Sequence, residues 1–488
     1  MRKIRYGLLG AIFLTGLYFA FFHHPRTVTT SSRQAYEEFL LGRQAGNKFY
    51  NTEAIQHFEK AVALDSNFAM AYLYLGRLYL LQPKMQQKGE ACLKRALRLA
   101  PKVSERERWI IHMSLTHSPE KRQAYLDSLL QKYNKTLEPH LLKAQLAMVK
   151  RDFKTAELEY LHILKIDPNY AMAYNMLGYI TAQEGRRDEA IEYFKKYIFI
   201  APNEPNPHDS LGELFLLMGR YDEAVREFQK ALAVRPELLT KPSLLSEAIH
   251  YHLAKAYFYK GQFSKSLQNA RFTQKFHQTG IFSQDIALLK GLIFYQKGEY
   301  NRSLTFADSL KSNNPNAWLI RALNAVQLNR PDLLDACIEK ARAGAQKSSH
   351  QQPEWKLILH FLLGLKAFHQ KDYSAAIVHL KKVVDSTSDS QFAVRDLAWA
   401  YYQTGQLDSA RAVIRRTLTM NPQAWGGLFA QAQIALATGD TATARTAMER
   451  YLHLYKDRDT DTPDIRLIQK ELQEISARLA GEKQRVKF

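Results

Sequence analysis

A fixed spacing of 34 residues between recurring small and large residues constrains the fold of this chain more than any other feature of its sequence. The stretch from Met172 to Pro202 recurs in the stretch that follows it, with no insertion or deletion between the two. A regular interval of this length indicates an array of short helical units, each of which buries its apolar face against the next. The spacing relates five pairs of residues: Gly178 and Gly212, Gly185 and Gly219, Ala190 and Ala224, Phe194 and Phe228, and Pro202 and Pro236.

Each unit is predicted to consist of two antiparallel helices joined by a tight turn. Small residues such as Gly178 and Ala190 let the helix axes approach, and large residues such as Phe194 fill the space between successive units. Gly185 stands where the first helix ends, a position suited to a left-handed C-cap. Pro202 ends the second helix, because proline cannot continue it.

This pattern resembles the tetratricopeptide repeat (TPR), a helix–turn–helix unit of about 34 residues. The resemblance implies an all-α fold: a right-handed α-α superhelical solenoid of about eleven TPR-like helix pairs after one N-terminal hydrophobic helix. It extends over roughly residues 35–453 and weakens over residues 104–133 and 318–345, where most of the recurring residues are lost.

The sequence divides into six segments. They are a signal anchor or transmembrane helix over residues 1–24, a polar stalk over 25–34, three parts of the repeat array over 35–236, 237–345 and 346–456, and a capping helix with a basic tail over 457–488.

The last helix has a predicted start and a predicted apolar stripe. Thr462 occupies the N-cap position, Pro463 the first helical position and Asp464 the first turn. The stripe can cover the end of the last repeat, which has no following neighbour. It consists of Ile465, Ile468, Leu472, Ile475 and Leu479.

The amino terminus has the layout of an export signal or a signal anchor. Arg2, Lys3 and Arg5 precede an uncharged run from Tyr6 to Phe22, near the short end of the about 17–25 residues that a spanning helix needs. No small-residue cleavage site follows, so an uncleaved anchor is favoured, with a cleaved, secreted form as the alternative. The basic residues predict a single-pass protein with a cytoplasmic N-terminus and a periplasmic or extracytoplasmic TPR region.

The formal net charge is +20 and the pI is about 9.6. Such an excess suggests an anionic partner or surface, or else reflects only solubility and a general composition bias. The two cysteines, Cys92 and Cys337, fall in distant repeats, so neither a disulfide framework nor a cysteine-based metal site is available. We expect each to be a buried free thiol.

The sequence carries no catalytic signature: there is no phosphate-binding glycine loop with Lys and Ser or Thr, no His-Glu-x-x-His, no Gly-x-Ser-x-Gly and no Cys-x-x-Cys. Asp457, Asp459 and Asp461 alternate like the start of a calcium loop. The sixth position is Thr462 and the twelfth is Ile468, however, where such a loop has Gly and Glu.

His250 and His252 are two positions apart, which places them about 200° apart around a helix, so they cannot chelate one metal ion. The sequence therefore predicts no enzymatic activity, no cofactor and no metal.

In TPR proteins the first helix of each pair lines the concave groove. Carried onto this sequence, the groove positions are mainly aromatic, with a few basic residues between them. Aromatic side chains together with arginine are typical of interface hot spots, although such aromatics can also pack between neighbouring helices. The resemblance implies a partner-binding groove made of Asn175, Tyr179, Tyr251, Lys255, Tyr259, Tyr295, Phe361, Phe368, Arg395, Trp399, Tyr402 and Phe429.

These observations predict a membrane-tethered TPR scaffold that binds a protein or peptide ligand in its groove, in an envelope or periplasmic assembly. The alternative is a helical-repeat RNA-binding protein, because pentatricopeptide proteins are close relatives that read RNA and the net charge fits. The Gly, Ala and Pro positions follow the TPR pattern instead, so a nucleic-acid partner is the weaker prediction.

Overall fold

The computed structural model describes residues 28–47, 50–82, 85–239, 244–275, 282–311, 313–347, 354–387, 390–459 and 461–485. All regular structure in these residues is helical, with 25 α-helices and two short 3-10 helices. The chain forms two compact units, Met1–Ile180 and Thr181–Phe488, so the boundary between them falls within one helix. The predicted anchor over residues 1–24 lies outside the described residues.

The N-terminal unit consists of consecutive antiparallel helix pairs. Its helices are α1 (Arg33–Asn47), α2 (Asn51–Leu64), α3 (Ala69–Leu80), α4 (Gln86–Leu99), α5 (Glu105–Leu115), α6 (Pro119–Tyr133), α7 (Leu137–Val149) and α8 (Phe153–Ile166), and α9 (Ala171–Gln183) crosses the boundary between the units.

The C-terminal unit continues the same alternation. Its helices are α10 (Arg187–Ile200), α11 (Pro205–Leu217), α12 (Tyr221–Val234), α13 (Leu244–Tyr259), α14 (Phe263–Lys275), α15 (Ser283–Gln296), α16 (Tyr300–Ser309), α17 (Pro315–Gln327), α18 (Pro331–Lys347), α19 (Glu354–His369), α20 (Tyr373–Ser386), α21 (Gln391–Gln403), α22 (Leu407–Met420), α23 (Trp425–Ala437), α24 (Thr441–Leu454) and α25 (Pro463–Arg485).

In the part of the chain that is described, α1–α24 make twelve pairs, one more than the predicted eleven. Odd-numbered helices are the first members of the pairs, even-numbered helices are the second members, and α25 stands alone at the end. No helix in the described ranges is both long enough and apolar enough to cross a membrane.

The turns inside the pairs use the left-handed C-cap that the sequence predicted. Gly185 has φ +81°, and five further glycines occupy the same position two residues after a first helix. Arg151, Asn329 and Lys371 adopt positive φ at this position in three other pairs. The turn geometry is therefore kept even where the glycine landmark is lost, at a steric cost that glycine does not carry.

Close helix contact within a pair depends on glycine in the first helix. A Cβ on Gly212 of α11 would lie 2.5 Å from Cε1 of Phe228 in α12, and Phe228 is 0% exposed. Gly42 and Phe58 repeat the relation in α1 and α2, with 2.8 Å between the same atoms. The phenylalanine ring fills the space that the missing side chain leaves inside its own pair, whereas the landmark spacing predicted that such large residues fill the space between successive units.

The described part of the predicted polar stalk is not a free linker. The Thr29 amide donates to Glu107 at 2.8 Å, and the Thr30 hydroxyl donates to Asp65 at 2.6 Å. Burial disfavours the Asp65 carboxylate, but the hydrogen bonds that it accepts lower its pKa overall. The segment is thus bound to the N-terminal unit by hydrogen bonds before α1 begins.

The C-terminal unit closes on itself. Asn421, which follows α22, donates a hydrogen bond from Nδ2 to the hydroxyl of Tyr221 at 3.2 Å, although 200 residues separate them. The Arg187 side chain donates to the carbonyl oxygen of Met420. Helices α10 and α12, near the start of this unit, therefore contact the end of α22 directly.

Candidate ligand-binding groove

A cleft of about 250 Å³ lies in the C-terminal unit, and five consecutive first helices line it. This is the side of a helical array on which a partner is expected to bind. The lining residues are Tyr295 from α15; Leu323, Val326 and Gln327 from α17; Leu365, Phe368 and His369 from α19; Arg395, Asp396 and Trp399 from α21; Phe429, Ala430 and Gln433 from α23; and Leu467 from α25.

Five of the residues predicted to line a groove meet in this cleft: Tyr295, Phe368, Arg395, Trp399 and Phe429. Tyr402 lies beside them, with its ring 5.2 Å from that of Trp399. The cleft therefore has aromatic walls from four different helix pairs, close to one arginine. Large apolar pockets with a few polar groups are typical ligand sites.

A second group of predicted residues is engaged in packing between helices. The Tyr251 ring stacks on Phe282 at 5.2 Å, with Lys255 Nζ 5.7 Å from the centre of the Tyr251 ring. Tyr259 stacks on Tyr221 at 5.2 Å with 8° between the ring planes. These contacts hold neighbouring pairs together, which was the alternative role considered for any groove aromatic.

Three predicted residues do not belong to the cleft. Phe361 is 3% exposed within the core of the C-terminal unit and does not line this cleft. Asn175 is 2% exposed, and its Oδ1 atom has no hydrogen-bond partner among the described residues. Tyr179 is half-buried and, like Asn175, lies in the N-terminal unit.

Arg395 gives the cleft its charge. Its Nε donates to Asp396 Oδ1 at 2.8 Å, and its side chain is 23% exposed. Burial by itself disfavours the charged guanidinium, but the carboxylates of Asp396 and Asp464 and the nearby Tyr295 raise the pKa of Arg395 above its ordinary value. Arg395 therefore remains a cation throughout the ordinary pH range.

Two other polar groups of the cleft respond to burial. Burial raises the pKa of Tyr295 to about 12, and its hydroxyl accepts a hydrogen bond from Gln327 at 3.3 Å. Asp396 is 1% exposed, and its second carboxylate oxygen, Oδ2, has no hydrogen-bond partner among the described residues. An unpaired buried acceptor of this kind costs the fold free energy.

One wall of the cleft comes from the terminal helix α25. Thr462 caps it as predicted: its hydroxyl accepts from the Ile465 amide at 3.3 Å. Ile465, Ile468 and Ile475 of the predicted stripe are buried, and Leu472 is half-buried. The side chain of Leu479 lies outside the described residues.

A cluster of a histidine and two carboxylates lies between α11 and α13. Nδ1 of His252 is 2.9 Å from Asp209 Oδ1, and its Nε2 is 3.2 Å from Glu213 Oε1. Burial favours the neutral ring, but the two carboxylates raise the pKa of His252 overall. These three residues place possible metal-ligand atoms within 4.8 Å of one another. Each nitrogen of the His252 ring already faces a carboxylate, however, and this arrangement favours the protonated, positively charged form of the ring.

His250 points elsewhere, as the helical angle predicted. Its Nδ1 is 2.9 Å from Asn269 Oδ1 in α14, and burial lowers its pKa. The same separation of 19 residues joins His140 to Glu159 at 2.7 Å and His208 to Glu227 at 2.7 Å. A polar contact between the two helices of a pair therefore recurs through the array, a signal that a search for identical landmark residues misses.

The three alternating aspartates before α25 each have their own partner. Asp459 accepts from the Phe263 amide at 3.1 Å, at the start of α14. Asp461 pairs with Arg458 at 2.7 Å, and Asp457 lies 3.6 Å from Lys260. The carboxylates serve as helix cap and ion-pair partners, so they do not converge on one point as calcium ligands must.

A larger cleft of about 590 Å³ lies between α22, α23 and α24, outside the aromatic groove. Arg411, Arg415 and Arg450 line it, together with Thr443 and Gln431. Part of the positive charge of the chain is thus concentrated on another surface of the C-terminal unit.

An array of helix pairs whose first helices share a cleft defines this chain as an α-helical repeat protein of the kind that binds partners. Models described as tetratricopeptide repeat match residues 51–104, 141–205 and 395–459, and a further one matches residues 208–242. These segments match the family that the landmark spacing predicted. A comparison with curated protein sequences finds no match.

Solved structures of similar architecture share little sequence with this chain. The Cut9–Hcn1 hetero-tetramer of the APC/C has 16% identity and a TM-score of 0.46, over 80% of this chain and 74% of the other. The apo quorum sensor NprR from B. thuringiensis has 16% identity and a TM-score of 0.43, over 64% and 97%. Pseudomonas aeruginosa pilF has 16% identity and a TM-score of 0.34, over 43% and 93%. These similarities are too low to carry an argument about function.

Proposed function

We propose that this protein is a noncatalytic scaffold that binds a segment of a partner protein in the cleft of its C-terminal unit. The observation that carries the proposal is the convergence of Tyr295, Phe368, Trp399 and Phe429 from separate helix pairs around Arg395. Aromatic residues and arginine in a partly closed site provide large contact area and directional hydrogen bonds, which is the composition of interface hot spots.

Affinity capture of the full chain from its own cells tests this proposal. We expect Trp399→Ala to reduce the recovery of a specific partner at least about tenfold, because hot-spot truncations cost about 2 kcal/mol or more. Phe199→Ala is the matched control, since Phe199 is 82% exposed on α10 and lies outside the cleft. Equal recovery with both variants would contradict binding in the cleft.

We also propose that the apolar run Tyr6–Phe22 anchors the protein in a membrane, with the repeat array on the extracytoplasmic side. Support comes from the sequence alone: the basic residues that precede the run, and its length. The test is fractionation of cells that express the full chain or a form lacking residues 1–26, followed by protease treatment of intact cells and spheroplasts. Recovery of the full chain in the cytosolic fraction would contradict the anchor.

A further inference from the structure

The terminal helix α25 does more than cover the last repeat. A helix that only capped the array would contact α23 and α24. Gln433 of α23 does donate to Glu471 of α25, at 2.6 Å. In addition, a Cβ on Gly298, directly after α15, would lie 3.4 Å from Pro463, and Leu467 enters the cleft. The helix therefore spans first helices that are four pairs apart.

The side chains that α25 turns toward the cleft have a regular spacing. Asp464, Leu467 and Glu471 are related by three and then four positions, so they lie on one face of the helix. Asp464 lies close enough to Arg395 for each charge to shift the pKa of the other residue. This face places Leu467 in the cleft itself, and its two carboxylates interact with Arg395 and Gln433 of the cleft lining.

The fit of α25 in the groove is incomplete. Leu467 remains 43% exposed, and about 250 Å³ of cleft lies between it and residues such as Phe368 and Trp399. The Oδ2 atom of Asp396 has no partner in this part of the chain. A bulkier apolar side chain at the position of Leu467 would fill more of this space and contact the aromatic walls.

We propose that the groove is a binding site for one amphipathic helix with an acidic first turn and a large apolar residue three positions later, and that α25 is a built-in occupant which a partner helix displaces. Helix-in-groove recognition of this kind uses apolar anchors at i, i+3, i+4 and i+7. The inference rests on the proposed scaffold function and specifies its ligand: an amphipathic helix of a partner protein that resembles α25.

The experiment uses the full chain with a site-specific protease sequence inserted between Asp459 and Asp461, so that α25 is released after folding. The ligand is a fluorescent synthetic peptide of residues 461–485, followed by fluorescence anisotropy. We expect the cleaved chain, freed of its own helix, to bind this peptide at least about tenfold more tightly than the uncut chain, because the tethered α25 competes at high effective concentration.

Changes in the peptide test the recognition without disturbing the folded chain. Asp464→Lys in the peptide is expected to weaken binding at least about tenfold, because it places a cation next to Arg395. Leu467→Phe is expected to strengthen peptide binding several-fold, because the larger side chain buries about one additional apolar contact. Gln473→Lys is the control, because Gln473 is exposed on α25 and lies about 180° from Asp464 around the helix. Equal affinity for the Asp464→Lys and Gln473→Lys peptides would overturn the proposal, as would absence of binding to a cleaved chain that keeps its helical circular dichroism.

A second measurement covers the case in which cleavage unfolds the chain. In the uncut full chain, Leu467→Asp is expected to increase hydrogen exchange of α25 at least about tenfold relative to Lys470→Asp, an exposed position on the same helix. Unchanged protection of α25 would also overturn the proposal. Partner capture is a separate readout. A chain that binds the peptide but captures no partner would contradict only the proposed scaffold function. A captured partner that the peptide does not displace would contradict only the proposal that α25 occupies the partner's binding site.

Discussion

Asn421, directly after α22, and Tyr221, at the start of α12, are joined by a 3.2 Å hydrogen bond from Asn421 Nδ2 to the Tyr221 hydroxyl. Gly219, two residues before Tyr221, has φ +71°, and a Cβ there would lie 1.8 Å from Asn421 Oδ1. Glycine at this turn therefore permits both the left-handed backbone and the approach of α22. Gly219 therefore ends the first helix of its pair and also leaves room for the contact between Asn421 and Tyr221.

Gly219→Ala is expected to destabilise the protein more than Gly405→Ala does. Both positions have positive φ, which costs an L-residue about 1–2 kcal/mol, but no atom lies within 4 Å of a Cβ on Gly405. Gly219→Ala must also displace Asn421. Chemical denaturation gives the two unfolding free energies, and hydrogen exchange reports protection around residues 219–221 and 421. Equal effects of the two substitutions on both measurements would contradict a role for closure in stability.

Gly212→Ala is expected to lower the free energy of unfolding by about 1–3 kcal/mol, because the new methyl group overlaps the Phe228 ring in a filled core. Gly46→Ala in α1 is the matched control: its Cβ would meet Ala54 Cβ at 3.9 Å, an ordinary contact. That change should be neutral or raise stability by about 0.5–1 kcal/mol, since alanine favours a helix. Thermal and urea unfolding measure both; a destabilised Gly46→Ala and an unaffected Gly212→Ala would contradict the packing described.

Local rules explain what the sequence predicted correctly. Gly185 at a C-cap and Thr462 at an N-cap each depend on residues close in sequence, so their spacing is enough to place them. The contact of Gly212 with Phe228 inside one pair was not predicted. Phe361 was assigned to the groove by counting along its helix. Its ring lies in the core of the C-terminal unit, and a helical period alone does not fix how a helix is oriented about its own axis.

The cleft itself could be predicted only in part. Trp399 and Phe429 are predicted from their matching positions in first helices, and both line the cleft. Asp396 and Gln433 are not predicted, and neither is the contribution of α25. Their roles depend on the small rotation between one pair and the next, which adds up over several repeats and brings the end of the chain close to α15. A short stretch of sequence does not reveal this accumulated rotation.

The His252 cluster is expected to make stability depend on pH. Asp209 and Glu213 on α11 raise the pKa of His252 against the effects of burial and of Lys255. The folded protein then binds the proton more tightly than the unfolded chain, whose histidine pKa is about 6.5. This contribution to stability is fully present below that value and is lost as the pH rises through the folded pKa.

Urea unfolding of wild type and His252→Gln from about pH 5.5 to 9 measures this dependence. The difference in unfolding free energy between them should shrink as the pH rises. His453→Gln, at an exposed position on α24, is the control and should follow the wild type. A constant difference between wild type and His252→Gln across the range would show that His252 is not held as a cation.

Cys337 is expected to react with thiol reagents only when the C-terminal unit opens. It is 0% exposed, and burial raises its pKa to about 11 despite the nearby Arg321. Since the thiolate is the reactive form, this pKa alone reduces the rate at neutral pH roughly a hundredfold relative to an ordinary thiol, and burial blocks access as well.

Cys92→Ser leaves Cys337 as the single thiol, so its reaction with Ellman's reagent can be followed directly. We expect the rate to increase with urea in proportion to unfolding, while Cys337→Ser, which leaves the half-buried Cys92, reacts sooner. Rapid labelling of Cys337 in native buffer, without loss of helical circular dichroism, would mean that α18 does not pack as described.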